Sequence, residues 1–365
     1  MSVVTEVRPK TRSAFIARIR RATRRPWFLV AVVALAFGVG AWWSPIQRTQ
    51  PVPPAAAPPI ALSGSGRYVA LGDSYAAGEG LAPYITGTQD TSQGGDRCHR
   101  SAHASYPLDV TFAPPQPSSV DLMACSGAIV ANVYDEVQYH GTVPDGQGLQ
   151  VSANHPLGND VRLITLTMGG NDLHFANALV TCGMPGNCLN KPYGGARTLS
   201  DWMSAHLVTL QGELLTLYMR LHHDAPNARI VVLDYPALFP EEASSFIHVG
   251  AECSALFAAG FLPPERGAIR QWGLELDAII QQEASAAGID SVDVYPYFVG
   301  HEPCGANGAW LHFTPLSDLA GAFHPTPRGQ QEMARILACY LYLNPTTPTS
   351  PASQRDHFAM DGCVS

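Results

Sequence analysis

The sequence predicts an α/β protein: a three-layer α/β/α sandwich with a five-stranded parallel sheet, preceded by one transmembrane helix. Three observations carry this. Between residues 67 and 342, five short β-rich runs alternate with long helical patterns, the arrangement of a parallel sheet covered on both faces. A basic leader runs directly into an apolar segment without charge. Nothing in the 365 residues repeats internally, and no second linker divides the body, so one large domain is expected rather than two.

Residues 1–26 are a basic leader. Arg8, Lys10, Arg12, Arg18, Arg20, Arg21, Arg24 and Arg25 stand against Glu6, a charge of +7. The whole chain carries −8, which leaves −15 (−8 less +7) for the remainder. An acidic body of this kind excludes a nucleic-acid partner, whose phosphates need a basic face. Trp27–Trp43 is seventeen residues without a charge, roughly 25 Å as a helix. Extended to Ile46, the segment 27–46 is long enough for a transmembrane signal-anchor with its N-terminus in the cytoplasm. A cleaved signal peptide, leaving a secreted protein, is the competing reading. The run exceeds the usual hydrophobic region of such peptides, and Ala55-Ala56-Ala57 is followed by Pro58, a poor residue after a cut.

Residues 47–66 form a Pro/Ala-rich linker, with Gln50–Pro59 as a semi-rigid extended spacer. The folded domain is expected over 67–342, with a tail at 343–365. Strands are expected at Arg67–Leu71, Asp121–Ala124, Arg162–Met168, Arg229–Asp234 and Ser291–Tyr295. Helices are expected at Leu199–His223, Glu265–Ala287 and Arg328–Tyr342. Long loops, Glu79–Ser118, Asp135–Asp160 and Tyr235–Pro264, follow strand ends, and loops of such length more often carry function than not. Their apolar residues Leu81, Tyr84, Ile85, Phe246, Phe257, Phe261 and Leu262 suit an acyl site, and ordinary loop packing accounts for them as well.

All eight cysteines lie beyond the apolar segment. An even count after a translocation signal reads as disulfides, and Cys182 and Cys188 bracket one short loop. Metal binding is the alternative, but no Cys-x-x-Cys or Cys/His cluster supports it.

Four blocks carry chemistry. Tyr68-Val69-Ala70-Leu71-Gly72-Asp73-Ser74-Tyr75 is a buried strand broken at a glycine, which leaves Ser74 where parallel sheets hold reactive groups. A serine there is either a helix cap or a nucleophile awaiting a base. Cys125-Ser126-Gly127-Ala128 follows the second strand and offers the Gly127 N–H. Met168-Gly169-Gly170-Asn171-Asp172 follows the third, and the Asn171 carboxamide is a neutral donor suited to an oxyanion. Phe323-His324-Pro325-Thr326-Pro327-Arg328 places a histidine on a loop entering the last helix, a position fit for a general base. Asp73 and Asp172 read as braces rather than acids.

These blocks, in this order, resemble the SGNH (GDSL) hydrolase family of esterases and lipases, over the whole span from Arg67 to about Tyr342. The form of the first block and the loop cysteines resemble its secreted actinobacterial branch. The resemblance implies a flavodoxin-like fold and a carboxylic ester hydrolase with Ser74 as nucleophile. His324 would be general base, and the Ser74 N–H, Gly127 and Asn171 would form an oxyanion hole. No metal or organic cofactor is called for. The branch pairs its cysteines consecutively, implying Cys98–Cys125, Cys182–Cys188 and Cys253–Cys304, with Cys339–Cys363 left as a fourth bridge tying down the tail.

One position departs from the family pattern. Where an aspartate usually stands, three residues before the histidine, this chain has Gly321. Either the Gly321 backbone carbonyl orients the imidazole, making a Ser-His dyad, or Asp318 folds back as a third member. The expected function is an extracytoplasmic, membrane-tethered serine esterase or lipase, a monomer acting on a lipid or acylated envelope component. The alternatives are a deacylase or acyltransferase on a cell-envelope glycan or glycolipid, and an inactive cell-surface binding module.

Overall fold

The computed structural model describes residues 57–140, 143–144, 148–184, 186–240, 261–303, 305, 307–313, 321–345 and 363. Five parallel strands form the sheet: β1 (Arg67–Gly72), β2 (Ser119–Leu122), β3 (Val161–Thr167), β4 (Arg229–Leu233) and β5 (Asp290–Val292), in the order β2-β1-β3-β4-β5. β1 is paired on both sides, with Val69 opposite Asp121 on one and Ile164 on the other. The order reverses between β1 and β3. At such a switch point the loops leaving neighbouring strand ends part and open a crevice.

Successive strand side chains point to opposite faces, and each face buries a separate core. Val69, Leu71, Ile164, Leu166, Ile230 and Val232 pack beneath two long helices, α1 (Leu199–Asp224) and α2 (Pro263–Ala287). α1 begins at Thr198, whose side chain accepts the Asp201 N–H at 3.0 Å, one of the caps that satisfy a helix's first amides. Its buried residues Leu199, Trp202, Met203, Leu207, Leu210, Leu214, Leu217 and Leu221 recur every three or four positions, the stripe of a helix with one buried side. Tyr68, Ala70, Leu163, Val231, Leu233 and Val292 line the other core under α3 (Pro327–Leu343). Thr326 caps that helix by accepting the Gly329 N–H at 3.1 Å, with proline at its first position.

All five strands differ from expectation at one end or both, most of all the second and the fifth. The second strand runs from Ser119 and stops at Leu122 because the N–H groups of Met123 and Ala124 both donate to Ala70 O, which ends the regular ladder. Their own carbonyls accept from the buried Arg100 guanidinium, Ala124 O at 2.7 Å. The fifth strand ends at Val292, because Pro296 suits the first turn of a short helix, Tyr295–Phe298, instead of a strand. Packing also reaches further toward the N-terminus than Arg67. Ile60 is buried, its N–H donating to Thr111 O and its carbonyl accepting from Ala113.

Cys98–Cys125, Cys182–Cys188 and Cys339–Cys363 are bonded. The expected Cys253–Cys304 pair lies outside the described residues, as does the apolar segment 27–46. Among the described residues no helix is long and apolar enough to cross a membrane.

Candidate active site

Gly72 ends β1 with φ +126°, and a Cβ there would lie 2.6 Å from Thr167 O, so only glycine fits. Both its main-chain groups meet the Gln150 carboxamide: Gly72 N–H donates to Oε1 at 2.9 Å and Nε2 donates to Gly72 O at 2.8 Å. Asp73 then caps the one-turn helix Ser74–Ala77 by accepting the Tyr75 N–H at 3.0 Å. Its buried carboxylate also accepts from Thr167 Oγ1 at 2.7 Å and from the Tyr235 hydroxyl. Burial pushes the Asp73 pKa up to about 6, against the pull of these donors. The aspartate is consumed in bracing, as the sequence suggested. Ser74 itself sits in the helix's first turn, where main-chain N–H groups lack intrahelical acceptors.

The loop before α3 brings His324 to this serine. His324 Nε2 lies 2.7 Å from Ser74 Oγ, across 250 positions of chain. The His324 backbone is pinned: its carbonyl accepts the His312 N–H, and Phe323 N–H donates to His312 O, each at 2.7 Å. Tyr75 Oη donates to Phe323 O at 2.7 Å, and its ring packs 5.3 Å from the imidazole. Enclosure lowers the His324 pKa; the Glu79 charge and the carbonyls of Ala322 and Gly321 oppose that drop. Among the described residues Nδ1 has no hydrogen-bond partner. Besides the Glu79 carboxylate, the oxygens that favour the protonated form are the main-chain carbonyls of Ala322 and Gly321. Asp318, the other candidate orienter, lies outside the described residues.

Glu79, just past Ser74's helix, is buried with both carboxylate oxygens 2.8 Å from His99 Nδ1. His99 stacks on Tyr84 at 4.4 Å. Burial alone would raise the Glu79 pKa, but the His99 bond and the nearby His324 and His99 charges hold it below the ordinary range.

Strand order places the two remaining blocks beside Ser74. Cys125 N–H donates to Gly72 O at 3.0 Å, so the Ser126-Gly127 turn leaves β2 next to the end of β1. Gly127 has φ +83°, and its N–H meets no acceptor among the described residues. After β3, Gly169 adopts φ +121° and a Cβ on Gly170 would lie 3.2 Å from the Tyr235 ring, which explains the glycine pair. Tyr235 Oη accepts the Gly170 N–H at 3.0 Å while donating to Asp73, joining the first and third blocks. Asn171 Nδ2 donates to Ala128 O at 3.0 Å, leaving its second N–H free of that bond. Asp172 accepts the Val130 N–H at 3.0 Å, and burial raises its pKa to about 7. Four sequence blocks thus converge on one crevice.

The sequence reading did not single out Tyr75, Glu79, His99, Gln138, His140, Gln150 or Tyr235 as site residues. They act through tertiary contacts with no local pattern; Tyr235 reaches Asp73 across 162 positions. Of the proposed acyl-site residues, Leu81 and Phe261 are buried in the body, Tyr84 packs on His99, and Ile85 and Leu262 are exposed. Phe246 and Phe257 lie outside the described residues. Among the described residues one trio of potential metal donors converges, Cys182, Cys188 and Glu265. The two sulfurs are bonded to each other, and Glu265 accepts the N–H groups of Cys188 and Leu262, so this trio does not suit a metal.

Comparison with known proteins shows the family. Residues 70–332 match the GDSL-like Lipase/Acylhydrolase family. Lipase 1 of Streptomyces coelicolor is 32% identical over 277 residues, 75% of this chain and 85% of that protein. The extracellular lipase of Streptomyces rimosus superposes with a TM-score of 0.54 at 27% identity, over 75% of this chain and 98% of that one. Phospholipase A1 of Streptomyces albidoflavus gives 0.55 at 28% identity, over 78% and 100%. With its α/β sheet, its crevice and these relatives together, the chain belongs to the GDSL lipase/esterase family and is a carboxylic ester hydrolase.

Proposed function

We propose that the chain cleaves esters through an acyl-Ser74 intermediate, with His324 as general base and the N–H groups of Ser74, Gly127 and Asn171 as oxyanion hole. The observation that carries this reading is the 2.7 Å contact between Ser74 Oγ and His324 Nε2. Serine is a weak nucleophile until a base takes its proton. In acylation the Oγ–H proton passes to Nε2 as Oγ bonds to the ester carbon, and the carbonyl electron pair moves onto oxygen. The three donors hold that oxyanion, each worth about 10²–10³ in rate. The C–O bond to the alcohol then breaks, and the departing oxygen takes the proton from Nε2. Water repeats the cycle and releases the acid. No cofactor enters any step.

His324 is held by main-chain carbonyls and not by a carboxylate partner, making a Ser-His dyad with Gly321 as one orienting carbonyl; this rests on the favourable effect of the Ala322 and, less, the Gly321 carbonyl on the protonated imidazole. A fluorophosphonate probe should label the wild type and fail on Ser74→Ala. p-Nitrophenyl ester hydrolysis should be abolished in His324→Ala and survive in Asp318→Ala. Equal loss in both would overturn the dyad.

The body at 67–342 works outside the cytoplasm, held by the anchor at 27–46 and spaced from the membrane by residues 47–66. That placement favours a lipid or acylated envelope substrate, and also a second reading, deacylation of an envelope glycan or glycolipid. Activity confined to acetyl esters would favour the second.

A further inference from the structure

The peptide joining Ser126 to Gly127 is gripped from its carbonyl side. Gln138 Nε2 donates to Ser126 O at 2.7 Å, and His140 Nε2 lies 3.0 Å from the same oxygen. A carbonyl oxygen has two lone pairs, so it accepts both, with the His140 proton placed on Nε2. Both side chains come from the entry to a small hairpin, Tyr139–His140 with Val143–Pro144, a dozen residues further along. The flanking peptides are fixed as well: Ser126 N–H donates to Cys98 O and Ala128 N–H to Cys125 O, each at 3.0 Å.

A trans peptide is planar, with C=O and N–H pointing in opposite directions. Anchoring the Ser126 carbonyl therefore sets the direction of the Gly127 N–H. Two hydrogen bonds to that carbonyl also polarise the amide and strengthen its N–H as a donor, by cooperativity of roughly 10–30% per bond. The clamp stands where a side chain would be. A Cβ on Gly127 would lie 3.3 Å from Gln138 Nε2 and 3.6 Å from His140 Nε2.

The arrangement is costly for a mere loop tether. Gln138 is 7% exposed, and Gln138 Oε1 and His140 Nδ1 are buried without hydrogen-bond partners. Unpaired buried polar atoms destabilise a fold, and apolar contacts would hold the hairpin more cheaply. What the polar pair provides and an apolar pair cannot is the orientation of one peptide.

We propose that Gln138 and His140 are positioning residues of the oxyanion hole, presetting the Gly127 N–H before substrate arrives. This rests on the reading of Gly127 as an oxyanion donor. The test compares wild type, Gln138→Met, His140→Phe, their double variant and a protein with glycolic acid in place of Gly127, an ester linkage that deletes this one N–H. It measures p-nitrophenyl ester kinetics, melting temperature and affinity for an alkylboronic acid, which forms a tetrahedral adduct on serine with an oxygen in the hole. The double variant should lose about 10²-fold in kcat, the scale of one oxyanion donor, with KM within about twofold. Boronate affinity should fall in parallel, and in the background with glycolic acid at position 127, where the N–H is absent, the double substitution should change kcat little. If the double variant fails to accumulate, each single one should show about a tenfold loss, half of that effect on a logarithmic scale.

A protein with glycolic acid in place of Gly127 and undiminished kcat would remove the oxyanion reading, and the proposal with it. Should that ester substitution lose activity while the clamp variants keep kcat and boronate affinity, the reading stands and the proposal fails. A clamp variant altered only in KM or melting temperature also overturns it.

Discussion

The hydroxyl of Tyr75, the residue after Ser74, donates to the carbonyl of Phe323, the residue before His324, at 2.7 Å. One phenol therefore ties the loop of the proposed nucleophile to the loop of its base. Gln330 joins the same knot, donating to Tyr75 O at 3.0 Å and accepting the Tyr106 N–H at 2.7 Å. Removing the tie should loosen a contact on which proton transfer depends. Tyr75→Phe is expected to cost about 1 kcal/mol of stability and about tenfold in kcat, the penalty for small misplacement of a catalytic group. Denaturant unfolding and ester kinetics check this; unchanged kcat would show that the tie is structural only.

Glu79 bears on the pH profile. Its negative charge raises the His324 pKa, so Glu79→Gln should lower it. Because the acid limb of kcat/KM reports the free base, that limb should move to lower pH in the variant. A limb that stays or moves upward would sink this electrostatic link. His99→Gln, which removes the partner of the carboxylate, should move the limb the other way if Glu79 stays ionised.

Gln150 substitutes for a neighbouring strand at Gly72. With its carboxamide gone, a buried N–H loses its only acceptor among the described residues, and Gly72 O retains Cys125 N–H. An unpaired buried donor costs about 1–3 kcal/mol. Gln150→Met should therefore destabilise by about that much. It should also reduce kcat, because Gly72 leads directly into Ser74. Calorimetry and kinetics read the two effects separately. A neutral effect on stability would show that water or a neighbour replaces the amide.

Stability should rise on mild acidification. Burial raises the carboxyl pKa to about 6 at Asp73 and Asp109 and about 7 at Asp172. It also lifts Asp234 and Asp277 well above the usual range, with their mutual repulsion adding at Asp234. Each of these carboxyls binds a proton in the native state at a pH where the unfolded chain has released it. Native protons exceed unfolded ones from about pH 7 down to about 4, so stability falls as pH rises through that window. His324 and His174, lowered by burial, act oppositely near their ordinary pKa, while His99, raised beside Glu79, adds to the five carboxyls. The melting temperature should climb from pH 8 to pH 5.5. A melting temperature highest at pH 8 would contradict this.

The leader gives the last prediction. The full chain should sediment with membranes and retain residues 1–46 on intact-mass analysis, whereas a soluble product beginning beyond Ile46 would establish signal cleavage.

Much of this protein is written locally. The apolar runs Arg67–Leu71, Asp121–Ala124 and Arg162–Met168 mark strands because period and composition are properties of neighbouring residues, whereas their ends, at Gly72, Leu122 and Thr167, were set by tertiary pairing. Ser74, Gly127, Asn171 and His324 announce themselves because each sits in a short block beside a strand end or helix start. The long helices were legible for the same reason, one buried stripe at a time. What the chain order could not express is which distant side chain meets which backbone group. Gln150 on Gly72, Tyr235 between Asp73 and Gly170, Tyr75 on Phe323 and the Gln138–His140 grip on Ser126 all depend on separations that only folding closes. The same holds for Gly321, where an expected carboxylate is absent and only the folded loop determines which oxygens face the imidazole. Local pattern determined the fold class and the proposed reacting groups; tertiary packing decided their orientation, because hydrogen bonds select partners by position in space and not in sequence.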